Sequence, residues 1–288
     1  MITVLVNPIS GGGKAQKALY GIEEVLKQEN KAYIIKETRM PGEATRISEE
    51  AVRDKHEAIV VAGGDGTMSE VLLGVKGSDV SVIFAPCGTG NDFVKCLDIP
   101  SDPVSAIKKQ LSSPVRRLDY ATVNERAFLN VCGAGFDVEV LKHFESHRHN
   151  VAGMKAYLLA IKDAFNDYKP MEVMISVDDR PFEEKRLAIL SIGNGVYFGG
   201  GMKAVPGALP NDGELNLVMV NAIKKWMIPF LLPLFISGLH TKLKITTTMA
   251  CKRVKITSNG LTMQLDGEII QMENADVKIV PAGVCARY

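Results

Sequence analysis

No run of about 20 consecutive apolar residues, the length an α-helix needs to cross a bilayer, occurs anywhere in this 288-residue chain. The longest apolar stretch, Trp226 to Ile236, is much shorter and is interrupted by Pro229 and Pro233. Neither sign of charge is in surplus. With 34 Lys and Arg against 33 Asp and Glu, the formal net charge is +1, which removes any global electrostatic pull toward nucleic acid. The cysteines, Cys87, Cys96, Cys132, Cys251 and Cys285, are scattered without a close pair, which excludes a paired-cysteine zinc site and a disulfide framework. They read as reduced thiols. No basic or cleavable apolar segment precedes the strand-like Ile2 to Val6, so the expected location is the cytoplasm. Internal repeats and low-complexity linkers are missing too. What remains is a chain long enough for two domains and a sizeable core.

The positive signal is glycine placed directly after apolar runs. Gly63-Gly64-Asp65-Gly66-Thr67 follows Ala58 to Ala62 and precedes Met68 to Val75, a segment that can begin a helix. Glycine lets a backbone approach a polyphosphate closely, and a helix start offers unpaired N–H groups. Asp65 would repel bare phosphate, so it implies a divalent cation between the two, with Mg²⁺ the usual choice.

A second loop, Asn7-Pro8-Ile9-Ser10-Gly11-Gly12-Gly13-Lys14, follows Ile2 to Val6. It is not a Walker loop, because Pro8 and Ala15 stand where that motif needs Gly and Ser or Thr. Nor is it a dinucleotide fingerprint, because Gln16 stands where the third glycine belongs. Its offer is more general: donors from Ser10 to Gly13 and a point charge from Lys14 for one end of a phosphate chain. A third loop, Pro86 to Asp92, follows Val80 to Ala85. In an open parallel sheet, loops at the carboxyl ends of the strands gather on one edge, so these loops are expected to line one crevice. The chemistry indicated is phosphoryl transfer from a nucleotide.

Strand-like runs at 2–6, 32–36, 58–62 and 81–85 alternate with helical stretches near 15–28, 43–54, 68–75 and 104–111, which predicts a doubly wound α/β domain over residues 1–120. Residues 121–288 read as a second, mainly antiparallel β domain, with extended runs at 121–123, 127–131, 171–177, 186–192, 214–220 and 254–257. Helical insertions are expected near 137–144 and 154–165, and Val277 to Val280 are candidates to return to the first domain.

Taken together, Asn7-Pro8 with Ser10 to Gly13, Gly63 to Thr67 with Glu70, Gly88-Thr89-Gly90-Asn91-Asp92, Asn211-Asp212-Gly213 and Leu265-Asp266-Gly267-Glu268 resemble the diacylglycerol kinase catalytic-domain family. Soluble bacterial lipid kinases share that domain with sphingosine and ceramide kinases. The resemblance spans nearly the whole chain. It implies an NAD kinase/phosphofructokinase-like parallel-sheet domain, then a β-sandwich-like domain that takes the lipid, with the cleft between them joining the substrates. The implied reaction moves the γ-phosphoryl group of ATP, with Mg²⁺, to the hydroxyl of diacylglycerol or a related lipid, giving phosphatidic acid.

The nucleotide set implied is Asn7, Pro8, Ser10, Gly11, Gly12, Gly13, Lys14, Thr38, Gly63, Gly64, Asp65, Gly66, Thr67, Glu70, Thr89, Asn91 and Asp92, with Asp65 also organising the cation. Glu268 matches the residue regarded as the proton acceptor, and a carboxylate in a partly apolar lipid site gains useful basicity. Asp266 would assist it or hold cation-bound water, and the Asp212 carboxylate with main-chain carbonyls near Leu209 and Glu214 would hold Mg²⁺. Both Asp-Gly segments are also good turn chemistry. The nearest rival is NAD kinase, and the rival from another class is a nucleotide-binding regulator without catalysis. A homodimer is left open.

Around Trp226 to Ile236, Lys224, Lys225, Lys242 and Lys244 fit a segment resting peripherally on an anionic membrane during turnover. A buried helical hairpin fits the same residues. His143, His147 and His149 read as a solvated basic cluster, since Lys142 and Arg148 would oppose a bound cation. Cys87, beside the third loop, raises the question of redox control.

Overall fold

The computed structural model describes residues 1–147 and 154–288. The chain divides into two compact units, one made of residues 1–120, 210–213 and 280–288, the other of 121–209 and 214–279.

A parallel sheet forms the centre of the first unit. Strand β1 (Ile2–Val6) lies between β2 (Tyr33–Glu37) and β3 (Ala58–Gly63), and β4 (Ser81–Pro86) follows β3. Val4 sits opposite Val60, and Val60 opposite Ile83. Every residue of β1, β3 and β4 is buried, which is why they read as unbroken apolar runs, as strands covered on both faces do. Helix α1 (Lys14–Gln28) packs on the face that carries Ile2, Val4 and Val60. Helices α2 (Glu43–Arg53) and α3 (Asp65–Val75) pack on each other and contact β1 and β3. A single turn, α4 (Asp92–Lys95), and then α5 (Pro103–Ser112) complete the helices, with α5 beside α1.

Cys285 and Ala286, near the chain's end, add to this sheet in parallel beside Ser81 and Val82. Beyond that short pairing, the buried Gln110 of α5 takes over: its Oε1 accepts from the Phe84 N–H at 2.8 Å and its Nε2 donates to the Phe84 carbonyl at 2.7 Å. Left unpaired, each buried backbone group would cost about 1–3 kcal/mol.

The second unit is antiparallel. It contains the end of β5 (Val115–Val123), paired with β6 (Arg126–Phe128), and then β7 (Val131–Gly135), helices α6 (Phe136–His147) and α7 (Met154–Asp167), β8 (Met171–Val177) and β9 (Glu183–Gly193). After β10 (Leu215–Asn221) come α8 (Ile228–Ser237), β11 (Thr246–Cys251), β12 (Arg253–Leu265) and the first part of β13 (Glu268–Arg287). Both β7 and β8 pair with β9 and with β12, so four strands close on themselves around a core that includes Leu187, Leu190, Val254 and Met263. Strand β12 manages both pairings by shifting register between Thr257 and Leu261.

Two expectations need revision. The extended run at 127–131 is two strands, because the backbone turns at Leu129 and Asn130. The segment 226–236 is neither a buried hairpin nor uniformly exposed; it is one helix, α8, preceded by a short 3₁₀ turn, with Ile228 and Phe235 buried and Phe230 open to solvent. Among the described residues, no helix is long and apolar enough to cross a membrane.

Candidate functional site

In the first unit, the glycine loops after β1, β3 and β4 meet. A Cβ placed on Gly88 would lie 2.5 Å from the Gly64 Cα, and one on Gly11 only 1.9 Å from the Cys87 carbonyl oxygen. Real carbon atoms do not approach so closely, so glycine at these positions is what lets the loops touch. The contacts are reinforced by polar bonds: Asn7 Nδ2 donates to Thr67 Oγ1 at 3.0 Å, and the Cys87 N–H to the Gly63 carbonyl at 2.8 Å. Gly11, Gly12 and Gly13 all have positive φ (59°, 65° and 89°), a course only glycine follows without strain, and they deliver the chain into α1. Neither α1 nor α3 has a side chain capping its start, so backbone donors at both helix starts lie beside the loops.

The loops after β1 and β3, with the segment after β2, border a cleft of about 460 Å³. Of the expected residues, Asn7, Pro8, Ser10, Thr38, Gly64, Gly66, Thr67 and Glu70 line it. Ile9, inside the second loop, lines it too, as do Arg39, Met40, Pro41 and Ala44, which were not foreseen. The segment after β2 therefore contributes far more than Thr38, including a cation. Glu70 has a structural task in addition: its Oε2 accepts from the Ala44 N–H at 3.1 Å, in the first turn of α2.

The other expected nucleotide residues do not line this cleft. Lys14 Nζ donates to the carbonyls of Pro86 and Ser101 at 3.2 and 3.5 Å, which ties α1 to the third loop. Gly63 has no room for a Cβ because Thr67 lies 2.6 Å from where it would be. Asn91 closes the third loop on itself, accepting from Gly88 N at 2.9 Å and donating to Gly88 O at 2.8 Å, beside the exposed Thr89. Asp92 is buried and pairs with Lys95 at 2.7 Å. Asp65 Oδ1 accepts from the Phe93 N–H at 3.3 Å, and its Oδ2 lies 3.1 Å from where a Gly90 Cβ would be, so this carboxylate faces the third loop.

Cys87 is fully buried, and burial pushes its thiol up to about 11. A thiol that stays protonated is a poor nucleophile. In the native protein at pH 8, iodoacetamide is therefore expected to leave Cys87 unlabelled and to modify it only after denaturation, as read by peptide mass spectrometry. Rapid native labelling would restore the question of redox control.

In the second unit, Leu265 and Glu268 face each other across a two-residue turn in which Asp266 and Gly267 both have positive φ, the geometry that suits the strand twist of a hairpin. The Asp266 carboxylate accepts from three backbone N–H groups, those of Leu129, Asn130 and Val131, at 2.6, 2.9 and 3.1 Å. It thereby anchors the hairpin to the bend between β6 and β7. The Glu268 side chain is 73% exposed and lies 3.4 Å from Arg126. The partly apolar surroundings expected for it are replaced by water and a guanidinium.

Asp212 lies in an exposed turn of the first unit, and Leu209 and Glu214 fall in the second unit on either side of it in sequence. The buried Asp119, which no sequence pattern marks, fixes this turn: its carboxylate accepts from the N–H groups of Gly213 and Ala282, both at 2.7 Å, and its own N–H donates to the Pro210 carbonyl at 2.8 Å. Among the described residues, no group of three or more His, Cys, Asp or Glu is placed to hold a metal ion. Mg²⁺, commonly bound through one or two carboxylates plus phosphate and water, does not require such a group. His143 and His147, read as a solvated basic cluster, are instead bonded to carboxylates of α7: Asp167 at 2.8 Å and Asp163 at 2.6 Å. His149 lies outside the described residues.

A second unforeseen feature is a narrow, partly open cavity of about 60 Å³ in the second unit, with Phe136, Val140, Ile161, Ile189, Leu232 and Phe235 among its walls. Four residues with polar groups border it: Asp137, Tyr168, His240 and Thr246. Asp137 Oδ1, His240 Nδ1 and Thr246 Oγ1 have no hydrogen-bond partner among the described residues. Burial lowers His240 and raises the Asp137 carboxyl to about 7, against the opposing pull of the Val138 and Asp137 amides and the Gln264 side chain.

A raised carboxyl has a signed consequence for stability. Between about pH 4 and 7 the unfolded chain gives up the Asp137 proton while the folded chain keeps it, so stability falls as pH rises, by about 4 kcal/mol across the window. Urea unfolding over this range is expected to show that fall in the wild type and a flatter profile in Asp137→Asn. An unchanged slope in the variant would contradict the assignment.

A glycine-loop α/β unit followed by an antiparallel β unit defines a phosphotransferase class, and the comparisons agree. Residues 1–123 match the family model described as diacylglycerol kinase catalytic domain, and residues 130–285 match the one described as YegS C-terminal NAD kinase beta sandwich-like domain. A "Probable lipid kinase YegS-like" protein of Pseudomonas putida is 30% identical, over 84% of this chain and 81% of its own length. A "Diacylglycerol kinase" of Mycobacterium tuberculosis is 26% identical, over 98% of this chain and 93% of its own. The crystal structure of a diacylglycerol kinase from Bacillus anthracis shares the fold, with a TM-score of 0.77 at 22% identity, covering all of this chain and 96% of that one. The chain belongs to this lipid kinase family.

Proposed function

We propose that this kinase transfers the γ-phosphoryl group of ATP to the free hydroxyl of diacylglycerol or a close structural relative, yielding phosphatidic acid. The observation that carries the reading is the meeting of the glycine loops, Gly88 against Gly64 and Gly11 against Cys87, beside the cleft lined by Asn7, Pro8, Ser10, Gly64, Gly66 and Thr67. Such a cradle presents main-chain N–H groups to phosphate oxygens without reorganising, which is how phosphoryl transfer is chiefly catalysed. Arg39 adds a positive charge at the rim, and Ser10 and Thr67 add hydroxyl donors.

Glu268 accepts the proton of the lipid hydroxyl. The lipid oxygen then bonds to the γ-phosphorus, the bond from phosphorus to the β–γ bridging oxygen breaks, and ADP leaves with that electron pair. Mg²⁺, held through Asp65 and Asp212, would neutralise charge on the phosphate oxygens when bound. Support for a lipid acceptor comes from the mainly apolar lining of the cavity in the second unit, with Phe136, Val140, Ile161, Ile189, Leu232 and Phe235 among its walls.

The purified chain, given Mg²⁺ and γ-labelled ATP, should be offered diacylglycerol, sphingosine, ceramide and NAD in parallel. Label is expected in phosphatidic acid. Label in NADP alone would replace this reading with that of an NAD kinase, and no transfer to any acceptor would favour a nucleotide-binding regulator.

A further inference from the structure

Helix α8 is apolar on every side, yet only one stripe of it is packed. Ile228, Leu231, Leu232 and Phe235, spaced at helical intervals, line the cavity of the second unit. The opposite stripe is open to solvent: Phe230 is 73% exposed and Trp226, just before the helix, 63%; Ile236, on the flank between the two stripes, is 44% exposed. Trp226 and Phe230 meet edge to face with ring centres 6.3 Å apart, so they form one patch and not separate residues. Isolated apolar side chains on a surface need no explanation, but a contiguous aromatic and aliphatic patch does.

The charge around the patch identifies what covers it. No aspartate or glutamate occurs between Glu214 and Asp266, while Lys224, Lys225, Lys242 and Lys244 flank α8 in the sequence; Arg253 and Lys255, on β12, are paired with Asp276 and Asp179. Lys224, Lys242 and Lys244, which flank α8 on both sides, are exposed and make no ion pair among the described residues. Lys225 is engaged differently, donating to the Asn166 carbonyl at 2.6 Å. An apolar stripe between exposed lysines matches an anionic bilayer, with rings and aliphatic side chains entering the interface and ammonium groups meeting headgroups. A second copy of the chain fits less well, because a self-complementary pairing of this face would bring the same lysines together.

We propose that the outer face of α8, through Trp226, Phe230 and Ile236 with Lys224, Lys242 and Lys244 at its margins, docks the kinase on anionic membrane. Its purpose rests on the lipid kinase reading, since an acceptor that lives in a bilayer must be met there. The same helix turns its inner stripe to the apolar cavity, so one element contacts both the bilayer and the space assigned to the lipid.

Trp226 is the only tryptophan in the chain, which makes its emission a direct reporter of the patch. Vesicles containing phosphatidylglycerol are expected to shift that emission to the blue, shield it from acrylamide, and carry the protein in flotation. Pure phosphatidylcholine vesicles should do so more weakly, and added salt should reverse part of the effect. Phe230→Glu with Ile236→Glu should lower partitioning about tenfold or more, and Lys242→Glu with Lys244→Glu about tenfold, removing much of the salt dependence.

Both double variants should still phosphorylate a short-chain diacylglycerol dissolved as monomer, which shows that they fold. Unchanged emission and no flotation of the wild type on anionic vesicles would overturn the proposal. A blue shift that grows with protein concentration without vesicles would overturn it in favour of self-association. Failure of the wild type on monomeric lipid would count against the kinase reading alone, because docking is read from Trp226 independently of turnover.

Discussion

Glu268→Gln is expected to lower kcat by about 10²–10⁴-fold, the range associated with loss of a positioned general base, while KM for ATP stays within a factor of about two. Glutamine keeps the size and hydrogen-bonding shape of the side chain but cannot take a proton from the lipid hydroxyl. Folding should be little affected. Glu268 is the first residue of β13, its side chain is largely in water, and its contact with Arg126 is a surface pair at 3.4 Å, a class that contributes little to stability.

That mild structural role makes the substitution informative, because a loss of turnover cannot be blamed on a damaged fold. Asp266→Asn supplies the contrast. Asp266 holds three backbone N–H groups, so its loss should appear first as a lower melting temperature and only secondarily in kcat. Steady-state kinetics with thermal unfolding of both variants separates the roles. Full turnover by Glu268→Gln, with an unchanged pH profile, would remove Glu268 as the base.

The second large effect is expected from the smallest substitution. Gly88→Ala adds one carbon that would sit 2.5 Å from the Gly64 Cα, well inside contact distance, with backbone on the other side and no flexible side chain to give way. The loops after β3 and β4 must therefore separate. A displacement of about 1 Å in a phosphoryl-transfer site can cost about 100-fold, and kcat/KM for ATP is expected to fall at least that far. Gly12→Ala provides the comparison: the space around Gly12 is open, so only the penalty of its positive φ, about 1–2 kcal/mol, applies there. Equal and small losses in the two variants would mean that the closeness of the loops is irrelevant to nucleotide use.

Much of this was legible before any coordinates, and for a definite reason. Strands β1, β3 and β4 are covered on both faces, so each appears as a continuous apolar run, and each is followed directly by glycine. Local signals of that kind survive in one dimension. Strand β13 runs for 20 residues, yet only Val277 to Val280 stood out, because Glu273, Asp276 and Lys278 give its exposed positions a polar reading.

Partnerships across long separations left no trace at all. Asp119 holds Gly213 and Ala282, Gln110 holds Phe84, and Asp137 stands at a cavity assembled from three helices and three strands distant in the chain. Lys14 shows what a local reading leaves out: its Nζ lies against the carbonyls of Pro86 and Ser101, a position that only the fold reveals.

The central claim is that the glycine loops of the first unit make one polyphosphate site, and calorimetric titration of the full chain with ATP in the presence of Mg²⁺ tests it most directly. One saturable site per chain is predicted, competed by ADP and strongly weakened in Gly88→Ala. Absence of any ATP-dependent heat, together with no competition by ADP in a fluorescent-nucleotide displacement assay, would contradict it.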